Sequence, residues 1–237
     1  RALIRACGFP IAAPSANKAG RPSPTSARHV AEDFGMSSGE RQKTDATIDL
    51  ILDGGKTRIG LESTVVDARG AKAVILRSGG VTVEDLQKVL GYKPKIARLR
   101  KGGKAPSPGM KYRHYAPSMP LILIGLEPRT KSATKKMIVT MQKKIHALAN
   151  EGLRVGVLCT SEHAKFYKEA HQIMICGSLG NPDSIAKNLF ASLRRFQKRG
   201  AGEKSHTGID LILSENFREK GIGHGVMDRL KRAAAVE

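Results

Sequence analysis

The chain has 237 residues, enough for one large or two small domains with real cores. Its 41 Lys+Arg against 21 Asp+Glu give a formal net charge of +20, which favours polyanions such as nucleotides or RNA. Three scattered cysteines (Cys7, Cys159, Cys176) argue against a disulfide framework or a zinc site and fit a reducing compartment; no apolar run reaches membrane-span length, so the cytoplasm is expected, with no membrane partner.

The chain begins at Arg1 rather than Met, and Ala2, Leu3, Ile4 and Ala6 before Gly8 read as a helix interior, which predicts an incomplete fragment. Residues 9–17 read as a short buried strand running into a turn. Ser23-Pro24 then resembles a helix start, with Ala27, Val30, Ala31 and Phe34 forming an apolar face and Gly35 the stop. Met36–Thr47 is polar and loop-like, and Ile48–Leu52 reads as a strand stopped by Asp53-Gly54-Gly55. Ser63–Asp67 and Ala73–Arg77 read as a hairpin around Ala68–Gly70. Thr82 with Asp85 forms a capping-box pattern for a helix that ends at Leu90 before Gly91.

Residues 92–120 read as a linker. From Tyr92 to Tyr115 every formally charged side chain is basic: Lys93, Lys95, Arg98, Arg100, Lys101, Lys104, Lys111 and Arg113. Such a run repels itself unless an anion or another surface neutralises it. Beyond it, strand-like runs at 121–124, 155–159, 173–176 and 211–213 alternate with helical runs at 131–150, 162–170, 184–198 and 226–234, and Asp183 is a candidate cap. This alternation predicts a parallel sheet with crossover helices. Three segments follow: 1–91, 92–120 and 121–237.

Four places in the first segment suit an anion. Pro14-Ser15-Ala16-Asn17 is a small-residue turn, although Asn17 also suits an Asn turn that satisfies its own backbone. Ser23-Pro24-Thr25 offers a helix N-terminus, where free N–H groups either meet a phosphate or are simply capped. Glu62-Ser63-Thr64 places hydroxyls at a strand entry that either faces water or meets an amino acid. Arg77, closing a strand before Ser78-Gly79-Gly80, points where α/β sheets hold ligands unless it is a surface arginine with an acidic neighbour. Gly221-Ile222-Gly223-His224-Gly225 follows the last strand rather than the first, so it reads as a helix entry and not as a dinucleotide fingerprint.

Six motifs in order carry a resemblance: P-S-A-N (Pro14–Asn17), R-P-S-P-T (Arg21–Thr25), D-G-G (Asp53–Gly55), E-S-T-V-V-D (Glu62–Asp67), I-L-R-S-G-G (Ile75–Gly80) and S-P-G-M-K-Y-R-H-Y-A-P (Ser107–Pro117). Together with the closing stretch Gly221–Ala234, they resemble the Sua5 branch of the Sua5/YciO/YrdC family, the threonylcarbamoyl-AMP synthases. The resemblance implies an α/β fold: a partial YrdC-like domain with a mixed twisted sheet, joined by the basic linker to a small Rossmann-like C-terminal domain. It implies a nucleotidyltransferase that makes threonylcarbamoyl-AMP and pyrophosphate from ATP, L-threonine and bicarbonate, for threonylcarbamoyladenosine at position 37 of tRNA. Ser15, Asn17, Ser23, Arg77, Arg113, His114 and Tyr115 would hold ATP, with Arg77 catalytic, and Ala13 and Ser63 would line the threonine site. Mg²⁺ would arrive with ATP. Further partners implied are tRNA and the downstream threonylcarbamoyl-transferase machinery. The family's Lys-Arg-Pro half is not in this sequence, so the fragment alone is expected to be inactive.

The alternative is a non-catalytic module for tRNA or double-stranded RNA. Its charge favours it; six Phe, four Tyr and no Trp leave few stacking platforms. A carbamoyl-adenylate former of the hydrogenase-maturation type is a closer rival, against which the linker and C-terminal domain count.

Overall fold

The computed structural model describes residues 2–18, 20–35, 48–97, 115–125, 130–196 and 208–234. The expected loop 36–47 and most of the basic linker, with Arg113 and His114, lie outside the described residues.

The first lobe opens with helix α1 (Ala2–Cys7) and continues to α2 (Ala27–Phe34), strands β1 (Val65–Asp67) and β2 (Val74–Arg77), α3 (Val83–Leu90) and β3 (Lys95–Ile96). The three strands form one mixed sheet in the order β1-β2-β3, with β1 antiparallel and β3 parallel to β2. The hairpin and α3 follow the expectation from sequence. Thr82 Oγ1 accepts from the Asp85 N–H (3.1 Å) while Asp85 Oδ2 accepts from the Thr82 N–H (3.2 Å), a reciprocal cap, and Gly91 closes the helix in the left-handed region at φ 74°. β3 falls inside the stretch read as linker.

Two strands expected in this lobe are absent. Residues 9–17 and 48–52 have no regular structure, and Phe9 (62% exposed) and Leu50 (73%) lie on the surface. Pro10 and Pro14 remove two backbone donors from the first segment, and among the described residues no strand pairs with either. Helix α2 also starts later than expected, with Ser26 and not Ser23 at the N-cap position. The Ser23 hydroxyl is committed elsewhere: it donates to Glu62 Oε1 (2.6 Å).

The second lobe is a four-stranded sheet in the order β4-β7-β5-β6, built from β4 (Leu121–Ile124), β5 (Val155–Thr160), β6 (Gln172–Gly177) and β7 (Leu211–Glu215). Every adjacent pair is parallel, as the strand–helix alternation predicts. Helices α4 (Lys131–Asn150), α5 (Pro182–Arg195) and α6 (Gly223–Ala233) cover both faces. The side-chain period of two divides the strands: Leu121, Leu158 and Ile212 join α5 and α6, whereas Ile124, Val157, Leu211 and Leu213 join Met141 and Ile145 of α4. Asn181, not Asp183, caps α5; its side chain accepts from the Ser184 N–H (3.3 Å), and Pro182 opens the first turn. The glycines at 221–225 do lead into α6.

The helix expected at 162–170 is only a 3₁₀ turn at Ala164–Phe166. Its flanking side chains explain this: His163 and Tyr167 both turn inward to Glu215 at the carboxyl end of β7. Glu215 Oε1 accepts from the Tyr167 hydroxyl (2.7 Å) and pairs with His163 Nδ1 (2.9 Å), and Oε2 accepts from the Thr160 N–H (3.1 Å). The hydrogen bond to Glu215 raises the His163 pKa above 6.5 against the opposing effect of burial. A raised folded value means that this pair stabilises the fold fully below about pH 6.5 and loses its contribution as pH climbs through the raised value. We therefore expect this pair to impose a downward slope on the melting temperature of the wild type as pH rises above about 6.5. His163→Gln should flatten that slope, as differential scanning calorimetry in buffers of matched ionic strength will show.

Candidate functional site

Glu62, in the approach to β1, anchors the candidate site. One carboxylate oxygen accepts from Ser23 of the first lobe, and the other accepts from Arg229 Nε (2.7 Å), which α6 of the second lobe carries into the seam. Arg229 is 0% exposed. Its Nη1 donates to the Ser78 carbonyl (2.8 Å) and to Asp228 Oδ2 (2.7 Å), and the guanidinium lies over the Tyr115 ring at 5.4 Å from the centroid. Among the described residues Arg229 Nη2 has no hydrogen-bond acceptor, and the guanidinium as a whole gains the π face of Tyr115. Burial acts to lower the Arg229 pKa, but the Glu62 carboxylate outweighs it and the pKa rises; the guanidinium stays charged.

Tyr115 is 3% exposed and is stacked on Phe190 of α5 (centroids 5.3 Å apart). It has φ 64°, the left-handed region, where a non-glycine residue is strained. Burial pushes its phenol pKa up, Glu62 adds to the rise, and Arg229 and Arg77 oppose it.

Arg77, the last residue of β2, donates from Nη2 to the Ser63 carbonyl (3.1 Å) and lies 3.5 Å from Ser63 Oγ. This holds a guanidinium across the β1–β2 hairpin, beside the Ser78-Gly79 turn that Arg229 engages. Gly79 is required there, because a Cβ would run into the backbone of Glu62 and Ser63. Thr64 Oγ1 donates to the Val81 carbonyl (2.6 Å), closing the turn from the other side.

A second ion pair ties the lobes further along. Arg194 of α5 donates to both carboxylate oxygens of Asp33 (3.0 and 2.6 Å) and to the Pro22 carbonyl (2.6 Å). Burial alone would raise the Asp33 carboxyl, but Arg194 and Arg21 outweigh it and hold it below the ordinary carboxylate range. Pro22 is thereby fixed next to Ser23, so the Arg21–Thr25 turn is positioned by the second lobe.

Of the residues expected from sequence, the structure brings Ser23, Ser63, Arg77 and Tyr115 into one region around Glu62. It places Ala13, Ser15 and Asn17 in an irregular segment in which Ala13 and Ser15 are exposed. Asn17 donates to the Lys18 carbonyl (3.0 Å) and the Arg21 carbonyl (3.3 Å), so its amide organises its own turn. The sequence reading missed Arg229, Arg194 and Asp33. No local signal marks them, because each is one charge in a polar helix and gains its meaning only across the seam. Among the described residues no group of three or more His, Cys, Asp or Glu is placed to hold a metal ion, and no helix is long and apolar enough to cross a membrane.

A short mixed sheet with hydroxyls and an arginine at its edge, strapped by a tyrosine onto a parallel α/β sheet, defines a two-lobed α/β protein with its candidate site at the seam. Residues 81–235 match the family model described as "Threonylcarbamoyl-AMP synthase, C-terminal domain", and residues 1–79 match the Sua5/YciO/YrdC model described as "Telomere recombination". The chain belongs to the Sua5 family. It is 40% identical to the threonylcarbamoyl-AMP synthase of Pyrococcus abyssi (strain GE5 / Orsay) over 98% of its own length and 60% of the relative's, and 39% identical to that of Bacillus subtilis (strain 168) over 98% and 59%. The counterpart from Schizosaccharomyces pombe is 33% identical, over 99% of this chain and 54% of the relative. The chain thus spans somewhat over half the length of the curated relatives it matches. Among solved structures, the P. abyssi Sua5 complexed with L-threonine superimposes with a TM-score of 0.77 at 40% identity, over 98% of this chain and 60% of that one.

Removing one partner of a buried ion pair leaves the other charge uncompensated, a cost of about 3–5 kcal/mol. Glu62 keeps some solvent access (side chain 17% exposed), so Arg229→Met should cost about 3 kcal/mol. The loss should fall on the contact between the lobes. Calorimetry should resolve the single transition of the wild type into two, and limited proteolysis should cut near the seam. A lone transition at an unchanged temperature would show that Arg229 does not hold the lobes together.

Proposed function

We infer that this chain contributes the Arg77 hairpin, the Tyr115 strap and the C-terminal domain of an L-threonylcarbamoyl-adenylate synthase. The overall reaction joins ATP, L-threonine and bicarbonate to give threonylcarbamoyl-AMP and pyrophosphate. It serves threonylcarbamoyladenosine formation at position 37 of tRNA, before a downstream threonylcarbamoyl-transferase machinery, in the cytoplasm. The observation that carries this reading is the convergence of Arg77, Ser63, Ser23 and Tyr115 around Glu62 in a chain of this family. The relatives' printed names and the threonine-bound P. abyssi structure support it.

The chemistry proceeds in two steps. The threonine amine adds to the carbon of CO₂ and loses a proton, giving a carbamate; starting from bicarbonate, the same carbamate forms with loss of one water. A carbamate oxygen then attacks the α-phosphorus of ATP, and the bond to the β-phosphate oxygen breaks in line, releasing pyrophosphate. Such transfers need little covalent help from protein; they need alignment and positive charge where negative charge accumulates. Arg77, held against Ser63, supplies a preoriented guanidinium. Ser63 would line the threonine side together with Ala13. Ser15, Asn17, Ser23, Arg113 and His114 would contact ATP. Tyr115, buried between Phe190 and Arg229, would reach the nucleotide. Mg²⁺ enters as part of the MgATP substrate.

The test is threonine-dependent release of pyrophosphate from ATP, measured with the whole gene product. Arg77→Ala should lower kcat by roughly 10²–10³, the range for losing one preorganised donor. Arg77→Lys should restore only part, because a single ammonium lacks the planar fork. Wild-type turnover in the alanine variant would remove Arg77 from the reaction.

A further inference from the structure

The outer face of α4 is unusual for a solvated helix. Its twenty residues, Lys131–Asn150, contain five lysines and no acidic residue. A helical surface that merely needs solubility mixes signs and gains from i,i+4 pairs. Here Lys131, Lys135, Lys136 and Lys143 are all exposed, and none forms an ion pair among the described residues. Met137, Met141 and Ile145 face inward, so these lysines line the opposite arc over about 18 Å of helix at 1.5 Å per residue.

Beside that arc, where Gln142 and Ile145 of α4 meet the 164–168 turn, lies a hollow of about 300 Å³ lined further by Lys165, Phe166, Lys168 and Glu169; the α4 lysines lie outside its lining. Phe166 is 40% exposed at its rim, with Lys165 Nζ 5.2 Å from the ring centroid. The local acid, Glu169, is already paired with His146 (3.2 Å). The 3₁₀ turn that presents Phe166 is locked from below by Tyr167 on Glu215 and from the side by Gln142, which donates to the Phe166 carbonyl (3.0 Å). A fixed, exposed aromatic ring beside two lysines, next to a helix whose Lys131, Lys135, Lys136 and Lys143 are exposed and form no ion pair among the described residues, has the components of a single-stranded nucleic-acid site: a stacking face for a base and cations for the backbone.

We propose that α4 and the Ala164–Lys168 turn form an RNA-binding surface of the C-terminal domain, one that takes an unpaired base against Phe166 and seats the flanking phosphates on Lys135, Lys136, Lys143, Lys165 and Lys168. The requirement for an exposed base selects loops over uninterrupted duplex. The surface lies in the second lobe, is built without any residue of the adenylation site, and stands whether or not the proposed reaction is correct.

The experiment measures fluorescence anisotropy of a labelled RNA hairpin with an unpaired loop, and of a blunt duplex with the same stem, against the whole chain over a range of salt. The wild type should bind the hairpin more tightly than the duplex. Lys135→Glu, Lys136→Glu and Lys143→Glu combined should weaken the hairpin at least tenfold and flatten the log–log salt slope by about 2. Phe166→Ala should weaken the hairpin about tenfold and leave the duplex within about twofold. Should the triple reversal lower the melting temperature, Lys136→Gln with Lys143→Gln, which remove charge at similar size, provide the same reading. Three results overturn the proposal: unchanged hairpin affinity in both variants, as when the basic run Lys93–Arg113 carries all binding; equal loss for hairpin and duplex in Phe166→Ala; or tighter binding of poly-glutamate than of the hairpin at equal charge concentration, which would mark an acidic-protein surface.

Discussion

The Glu62–Arg229 pair is the interaction on which this architecture turns. It joins the two lobes at the place where the candidate site sits, and both partners bond onward to groups that shape it. Glu62 holds the Ser23 hydroxyl; Arg229 holds the Ser78 carbonyl and lies over the Tyr115 ring. Taking such charges out of water costs several kcal/mol each, and their attraction roughly offsets that. Net stability of the seam comes instead from apolar burial: Leu61 and Tyr115 of the seam share a core with Phe190, Leu193, Val226 and Leu230, and each large side chain contributes about 1.5–3 kcal/mol. The ion pair contributes register. A nonpolar contact tolerates sliding by an ångström; a guanidinium with fixed acceptors does not.

This division explains why the second lobe matters to chemistry it does not perform. Arg194 fixes the Pro22 carbonyl and Asp33, Arg229 fixes Glu62 and the Ser78 turn, and Phe190 receives the strap tyrosine. Each of these contacts runs from α5 or α6 to α2, a first-lobe turn or Tyr115, so the parallel sheet acts as a frame behind the site. Gly60 belongs to the same constraint. Its Cα comes so close to the Ala186 and Lys187 carbonyls of α5 that any Cβ would collide with backbone, which cannot swing away. The left-handed Tyr115 fits this picture: strain in one residue is tolerated where stacking on Phe190 and an overlying Arg229 determine its place.

Most of the second lobe was legible because its signals are local. Period-two strands buried on both faces, α4 and the glycine entry to α6 all appear in the sequence where the structure has them. The capping box at Thr82–Asp85 was legible for the same reason: its two hydrogen bonds close within four residues. The failures have one physical source. Ser23-Pro24 has the chemistry of a helix start, yet its hydroxyl is taken by a carboxylate 39 positions away. Residues 163–167 have a helical pattern, yet His163 and Tyr167 gain more from a buried Glu215 than from continuing a helix. Residues 9–17 and 48–52 carry strand propensity without a strand to pair with, and propensity alone does not supply ladder hydrogen bonds. Motif order gave Ser23, Ser63, Arg77 and Tyr115. Arg229, which ties that group to the second lobe, is invisible until the lobes are docked.

The charge distribution follows from the same docking. Acids are few in this chain, and several of them are engaged at seams and loop anchors: Asp33 with Arg194, Glu62 and Asp228 with Arg229, Glu215 with His163, and Glu162 with Ser178 and the Leu179 N–H. Glu162 shows how firmly they are held. Burial would raise its pKa, but the Ser178 hydroxyl and Leu179 N–H bring it down to about 2. Arginines predominate in these pairs, where a planar fork can meet two acceptors at once. Lys131, Lys135, Lys136 and Lys143 of α4 are exposed and form no ion pair among the described residues. Among the described residues positive charge is therefore not spread evenly: it is paired where the lobes meet and left exposed along α4, so long-range attraction for an anion acts from that outer face.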